Sequence, residues 1–153
     1  MVEEKIKEII GYELPVAPKP LASYLPVMKS GNLIFTSGQL PMKDGKLLAV
    51  GKVGRDVSEN EAIECAKLSA INCLSAVKSL SGNLDNIEQI IKLVVFVNSA
   101  VNFTGQPKIA NGASDFLVQV LGDKGKHSRS AVGVSELPLN SPIEVEMIVR
   151  ISN

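Results

Sequence analysis

The order of elements along the chain predicts an α+β fold with a mixed six-stranded sheet and two main helices on one face. Three observations carry this expectation. Ser58 and Glu61 form an S-x-x-E capping box that opens a long amphipathic stretch. "IEQIIKLVVFVNSA" is a β-branched and aromatic run of the buried-strand kind. At the C-terminus, Ile143, Val145, Met147, Val149 and Ile151 alternate with Glu144, Glu146, Ile148 and Arg150, the period of a half-buried strand.

Taken in order, Val2, Ile6, Ile9 and Ile10 are spaced for a short helix that Gly11 stops. "ELPVAPKPLA" holds three prolines, which forbid helix and predict an extended arm, so that residues 1–21 form a helix and arm on a single domain spanning 1–153. Tyr24–Met28 and Leu33–Ser37 read as a hairpin around Ser30-Gly31-Asn32, and an Asp44-Gly45 turn precedes a short strand near Leu47–Val50. From Ser58 to about Leu80 the small stripe Ala62, Ala66, Ala70, Cys73 suits close packing on a sheet. A second helix follows Pro107 and ends near Gly122. Arg129–Ser135 and Ile143–Ile151 close the chain as two strands, expected to pair antiparallel through the Leu137–Pro142 turn.

Composition bounds the function. Sixteen Lys/Arg balance sixteen Asp/Glu, with no basic tract and no tryptophan, so nucleic acid is not an expected partner. No stretch has the length of a membrane span or the pattern of a signal peptide, and the cytoplasm is the expected compartment. A hydrophobic content of 45% and a mean hydropathy of +0.18 leave apolar surface for a subunit partner. Cys65 and Cys73 are eight residues apart on one helix, too far to bond each other, and with a single histidine they make no zinc site; both are expected as buried core thiols. No metal and no cofactor is expected.

Candidate site residues cluster late in the chain. Glu144 and Glu146 share a strand face, about 6–7 Å apart. Arg129 shares a face with Ala131 and Gly133, whose small side chains leave room beside it. With the two strands paired, Arg129 and a glutamate would meet on the non-helical face. One reading is a solvated cross-strand ion pair. The other is an anion clamp, since a guanidinium presents two parallel donors matched to a small carboxylate, with a glutamate as general base toward water. Tyr24, Ser37 and Asn111 are further polar candidates, each with an ordinary structural reading as a strand residue, a strand terminator and a helix-surface residue. His127, in "DKGKHSR", reads as a solvated loop histidine.

"NLIFTSGQLP", "NGASDFLVQVLG" and above all "RSAVGVSELPLNSPIEVEMIVRI" resemble the Rid (YjgF, or L-PSP endoribonuclease-like) family from Tyr24 onward, and the segment before Tyr24 resembles a longer branch of it. The resemblance implies a chorismate-mutase-like fold, a homotrimer with ligand sites between subunits, and hydrolysis of 2-imino acids to 2-keto acids and ammonia. On that basis Arg129 would hold the substrate carboxylate and Glu144 would position water. Tyr24, Ser37, Asn111 and Ala131 would line the pocket, Ala131 standing where deaminating members often have cysteine. A non-catalytic carboxylate-binding trimer and a ribonuclease are the alternatives from other classes; the neutral charge and sparse aromatics argue against the last.

Overall fold

The computed structural model describes residues 1–19 and 23–153, so Pro20 and Leu21 of the expected arm lie outside the described residues. The elements are α1 (Val2–Ile10), β1 (Val27–Ser30), β2 (Leu33–Thr36), β3 (Met42–Lys43), β4 (Lys46–Leu47), α2 (Glu59–Ser81), β5 (Ile87–Asn98), α3 (Gln106–Leu121), β6 (Ser128–Val134) and β7 (Ile143–Ile151). The α+β class holds, and α2 and α3 cover one face of a mixed sheet. That sheet has five strands in the order β1-β2-β7-β5-β6, while β3 and β4 form a separate two-stranded ribbon, so the expected six becomes five plus a ribbon.

Local chemistry explains the boundaries. Ser58 Oγ accepts from the Glu61 N–H at 3.2 Å and Glu61 Oε2 accepts from the Ser58 N–H at 2.9 Å, closing the capping box that starts α2. Gly31 takes φ +59 between β1 and β2, the left-handed conformation glycine adopts without penalty. β1 begins at Val27, later than the Tyr24 start expected, because Pro26 has no N–H to give the ladder. Its carbonyl still accepts the Ser37 N–H at 2.8 Å.

The strand pairing differs from expectation at the point that matters most. β6 and β7 are not neighbours. β5 lies between them, parallel to β6 and antiparallel to β7, and β7 also pairs antiparallel with β2. β7, with alternate residues fully buried, is a central strand; β6, with three small residues and a glycine in seven, takes the edge.

The register assigns faces. Ile143, Val145, Met147, Val149 and Ile151 of β7 join Leu93, Val95 and Val97 of β5 in the core beneath the helices. Glu144, Glu146 and Ile148 stand with Phe96, Val94 and Lys92 on the opposite, open face. Helix packing is close because α3 presents Gly112 to α2: a Cβ there would lie 2.9 Å from the Ile63 carbonyl carbon. The N-terminal helix is docked on the same body, with Ile6 fully buried, the Val2 N–H donating to Asp85 Oδ1 at 2.8 Å and the Leu84 N–H to Glu3 Oε1 at 3.0 Å.

Cys65 and Cys73 are free and buried, as expected; burial pushes both thiols up to about 12, beyond the range of reactive thiolates.

Candidate functional site

Arg129 is registered against Leu93 in the parallel β5–β6 pair, so its side chain leaves the sheet on the helical face, toward α3. There Nη1 donates to Asn111 Oδ1 at 2.8 Å and Ser114 Oγ at 3.2 Å, and Nη2 donates to the Pro107 carbonyl at 3.4 Å. A guanidinium has five N–H donors. Three bonds leave two N–H groups without a partner among the described residues, on a half-buried side chain at the sheet edge. The result is a cation held by one helix with donors to spare. Ala131, two residues on, lies against Val95 on the same face and packs against the core.

This corrects two expectations. Arg129 does not face a glutamate across a strand pair, because β5 intervenes. Nor does it lie on the non-helical face. Glu144 is registered against Phe96, three residues along β5 from the partner of Arg129, and points the other way. Strand spacing and rise put their Cα atoms about 14 Å apart. Within one chain they form neither the ion pair nor the clamp-and-base arrangement.

Glu144 belongs instead to a second cluster. Its half-buried side chain lies over Gly38, where a Cβ would come within 2.7 Å of Glu144 Cδ; glycine makes the room. Ser37 precedes that glycine and donates its hydroxyl to the Leu25 carbonyl at 2.6 Å, holding the exposed Tyr24 segment beside the end of β2. Glu144 has no hydrogen-bond or ion-pair partner among the described residues. Burial pushes its carboxyl above the ordinary glutamate range, and the nearby Glu146 charge adds to this. Glu146 lies farther along the same face, in a shallow depression of about 130 Å³ with Phe35, Lys92, Val94 and Ile148. The register thus gives Glu144, not Glu146, to the Ser37–Gly38 corner.

The six candidates therefore fall into two groups: Arg129, Asn111 and Ala131 at the β6–α3 edge, and Glu144, Ser37 and Tyr24 at the β2–β7 corner. Sequence reasoning missed Ser114 and misread His127. The half-buried His127 is hydrogen-bonded at both nitrogens, to Ser114 Oγ at 2.9 Å and to the Gly125 carbonyl at 2.6 Å. The available signal for Ser114 was its place three residues after Asn111 on one helix face. Among the described residues no group of three or more His, Cys, Asp and Glu is placed to hold a metal ion, and no helix is long and apolar enough to cross a membrane.

Residues 4–151 match the family described as "YjgF/chorismate_mutase-like, putative endoribonuclease". The chain belongs to the YjgF family. Among its relatives, protein TCP17 of Trypanosoma cruzi is 37% identical over 94% of this chain and 91% of its own length. A 2-iminobutanoate/2-iminopropanoate deaminase of Dermatophagoides farinae is 29% identical over 90% and 92%. Among solved structures, the Agrobacterium tumefaciens protein Atu1372, of unknown function, superposes with a TM-score of 0.92 at 45% identity, covering 99% of this chain and 92% of that one. Escherichia coli TdcF with bound serine gives 0.64 at 25% identity, covering 89% and 94%. This YjgF-family chain thus shares its chorismate-mutase-like fold with proteins of which one is named a deaminase and another holds an amino acid.

Proposed function

We propose that this protein hydrolyses small 2-imino acids to 2-keto acids and ammonia, at sites that two copies of the chain complete together. The observation that carries the reading is the guanidinium of Arg129, fixed on α3 with two N–H donors unused, while the only unpartnered carboxylate of raised pKa among the described residues, Glu144, stands on the opposite sheet face. One chain supplies two halves that it cannot join. A neighbouring copy, seated on the open face through Met28, Phe35, Phe96 and Val132, brings its Glu144 corner to the Arg129 edge. A homotrimer closes such head-to-tail contacts into a ring.

In that site Arg129 holds the carboxylate with two parallel hydrogen bonds. Glu144, as its carboxylate, takes a proton from a water that adds to C2 of the imine and returns it to the imine nitrogen; the carbinolamine then loses ammonia as its hydroxyl proton passes to the nitrogen and its oxygen becomes the keto group. Imines hydrolyse readily in water, so orientation and one base supply the acceleration. The deaminase relative and the serine-bound neighbour support this substrate class. Ala131 contributes no side-chain chemistry beside Arg129, and a trimer that only binds carboxylates would leave the same two halves. Turnover separates the readings.

The test is release of 2-keto acid from 2-iminobutanoate generated in situ, followed against pH. Glu144 acts ionised, and its pKa lies above the ordinary glutamate value of about 4.3. Activity is present above that raised pKa and falls as pH drops through it, so the acidic limb of kcat/KM is expected above the ordinary value. A limb at or below it would count against Glu144 as the base. Ligand-induced stabilisation by 2-oxobutanoate without any turnover would favour the binding protein.

A further inference from the structure

We propose that Ser114 and His127 are positioning residues that fix the direction of the Arg129 guanidinium; the proposal rests on the reading of Arg129 as a carboxylate anchor. The Gly125 carbonyl can only accept, so the 2.6 Å contact requires a proton on His127 Nδ1. In the neutral imidazole Nε2 is then an acceptor, and the 2.9 Å contact to Ser114 Oγ draws the hydroxyl proton onto the ring. The lone pairs of Ser114 turn to Arg129 Nη1, which donates to them at 3.2 Å. A single directed chain results: Arg129 N–H to Ser114, Ser114 O–H to His127, His127 N–H to the backbone of Gly125.

Helical serines ordinarily return their hydroxyl proton to a carbonyl of the preceding turn. Among the described residues two do, Ser75 to the Ile71 carbonyl at 3.1 Å and Ser79 to the Ala76 carbonyl at 2.6 Å. Ser114 bonds the histidine that immediately precedes β6 instead. The 3₁₀ turn Gly122–Gly125 places the carbonyl that orients the ring. Together with Asn111 one turn earlier, Ser114 gives both protons of Nη1 an acceptor, and with one Nη2 proton on the Pro107 carbonyl this leaves two N–H groups for the ligand. An arginine so held loses less rotamer freedom on binding.

Two readouts test this on the full-length protein. The first needs no ligand: NMR relaxation of the Arg129 Nε–H, assigned by its loss in R129K. S114A and H127A are expected to make this group mobile. S114T, which keeps the hydroxyl, and H127Q, which keeps an acceptor, are expected to restore its order. The second is 2-iminobutanoate hydrolysis, where S114A and H127A should raise KM about tenfold with kcat little changed, the signature of lost carboxylate anchoring. An Arg129 side chain equally ordered in S114A, H127A and wild type overturns the proposal, whatever the activity. Unchanged KM in an active enzyme also overturns it and leaves the imine reading standing. Loss of order in S114A and H127A in a protein without turnover supports the positioning role and removes the imine reading.

Discussion

Replacing Arg129 by alanine is expected to lower kcat/KM for 2-iminobutanoate by about 10³-fold, the combined worth of two charge-assisted hydrogen bonds to the substrate carboxylate. The fold should survive. Arg129 is on an edge strand, its partners are surface groups of α3, and it contributes nothing to the buried cluster between the sheet and the helices. R129K should fall between, because lysine keeps the charge and loses the two-pronged geometry. The measurement is steady-state hydrolysis beside a thermal melt and an oligomer mass. A variant with intact mass and wild-type rates would remove Arg129 from the reaction.

Gly38→Ala is expected to cost about 10²-fold in kcat, the scale of a lost general base, with little change in Tm. The added methyl would meet the far end of a flexible side chain, so the structure relieves the clash by swinging the Glu144 carboxyl away. Relief is cheap in stability and costly in geometry. E144Q should lose a similar factor, and the G38A/E144Q double variant should be no worse than either alone, because both remove one function. If G38A hydrolyses the imine at the wild-type rate, Glu144 does not act from the Ser37–Gly38 corner.

Much of this fold was readable from residues alone. The capping box placed the start of α2, and the strict alternation of β7 put Glu144 and Glu146 on one face and five aliphatic residues on the other. Pairing was not readable. The Leu137–Pro142 turn suits a hairpin between β6 and β7 as well as it suits a strand that returns beyond a neighbour, and only the fit of β5 between them decides. Composition held a hint: the glycine and serines of β6 belong at an edge, the aliphatic alternation of β7 at the centre. That one topological choice moved Arg129 to the other face and turned a single expected cleft into two halves. Asp44 (φ 52) and Gly45 (φ 76) closed a ribbon of their own and did not add a sixth strand. His127 carried no signal because its partner Ser114 is thirteen residues away, and their meeting depends on how α3 rests against β6.

Joining the Arg129 edge to a Glu144 corner requires that the two halves come from different copies. Co-expressing R129A with E144Q, each expected to be slowed by about a hundredfold or more alone, gives mixed oligomers in which some interfaces pair an intact Arg129 edge with an intact Glu144 corner. With random mixing of equal amounts in a ring, about a quarter of sites are whole, and hydrolysis should return to about that fraction of the wild-type rate. Mixed oligomers that stay as inactive as either parent would show that no site is shared between copies.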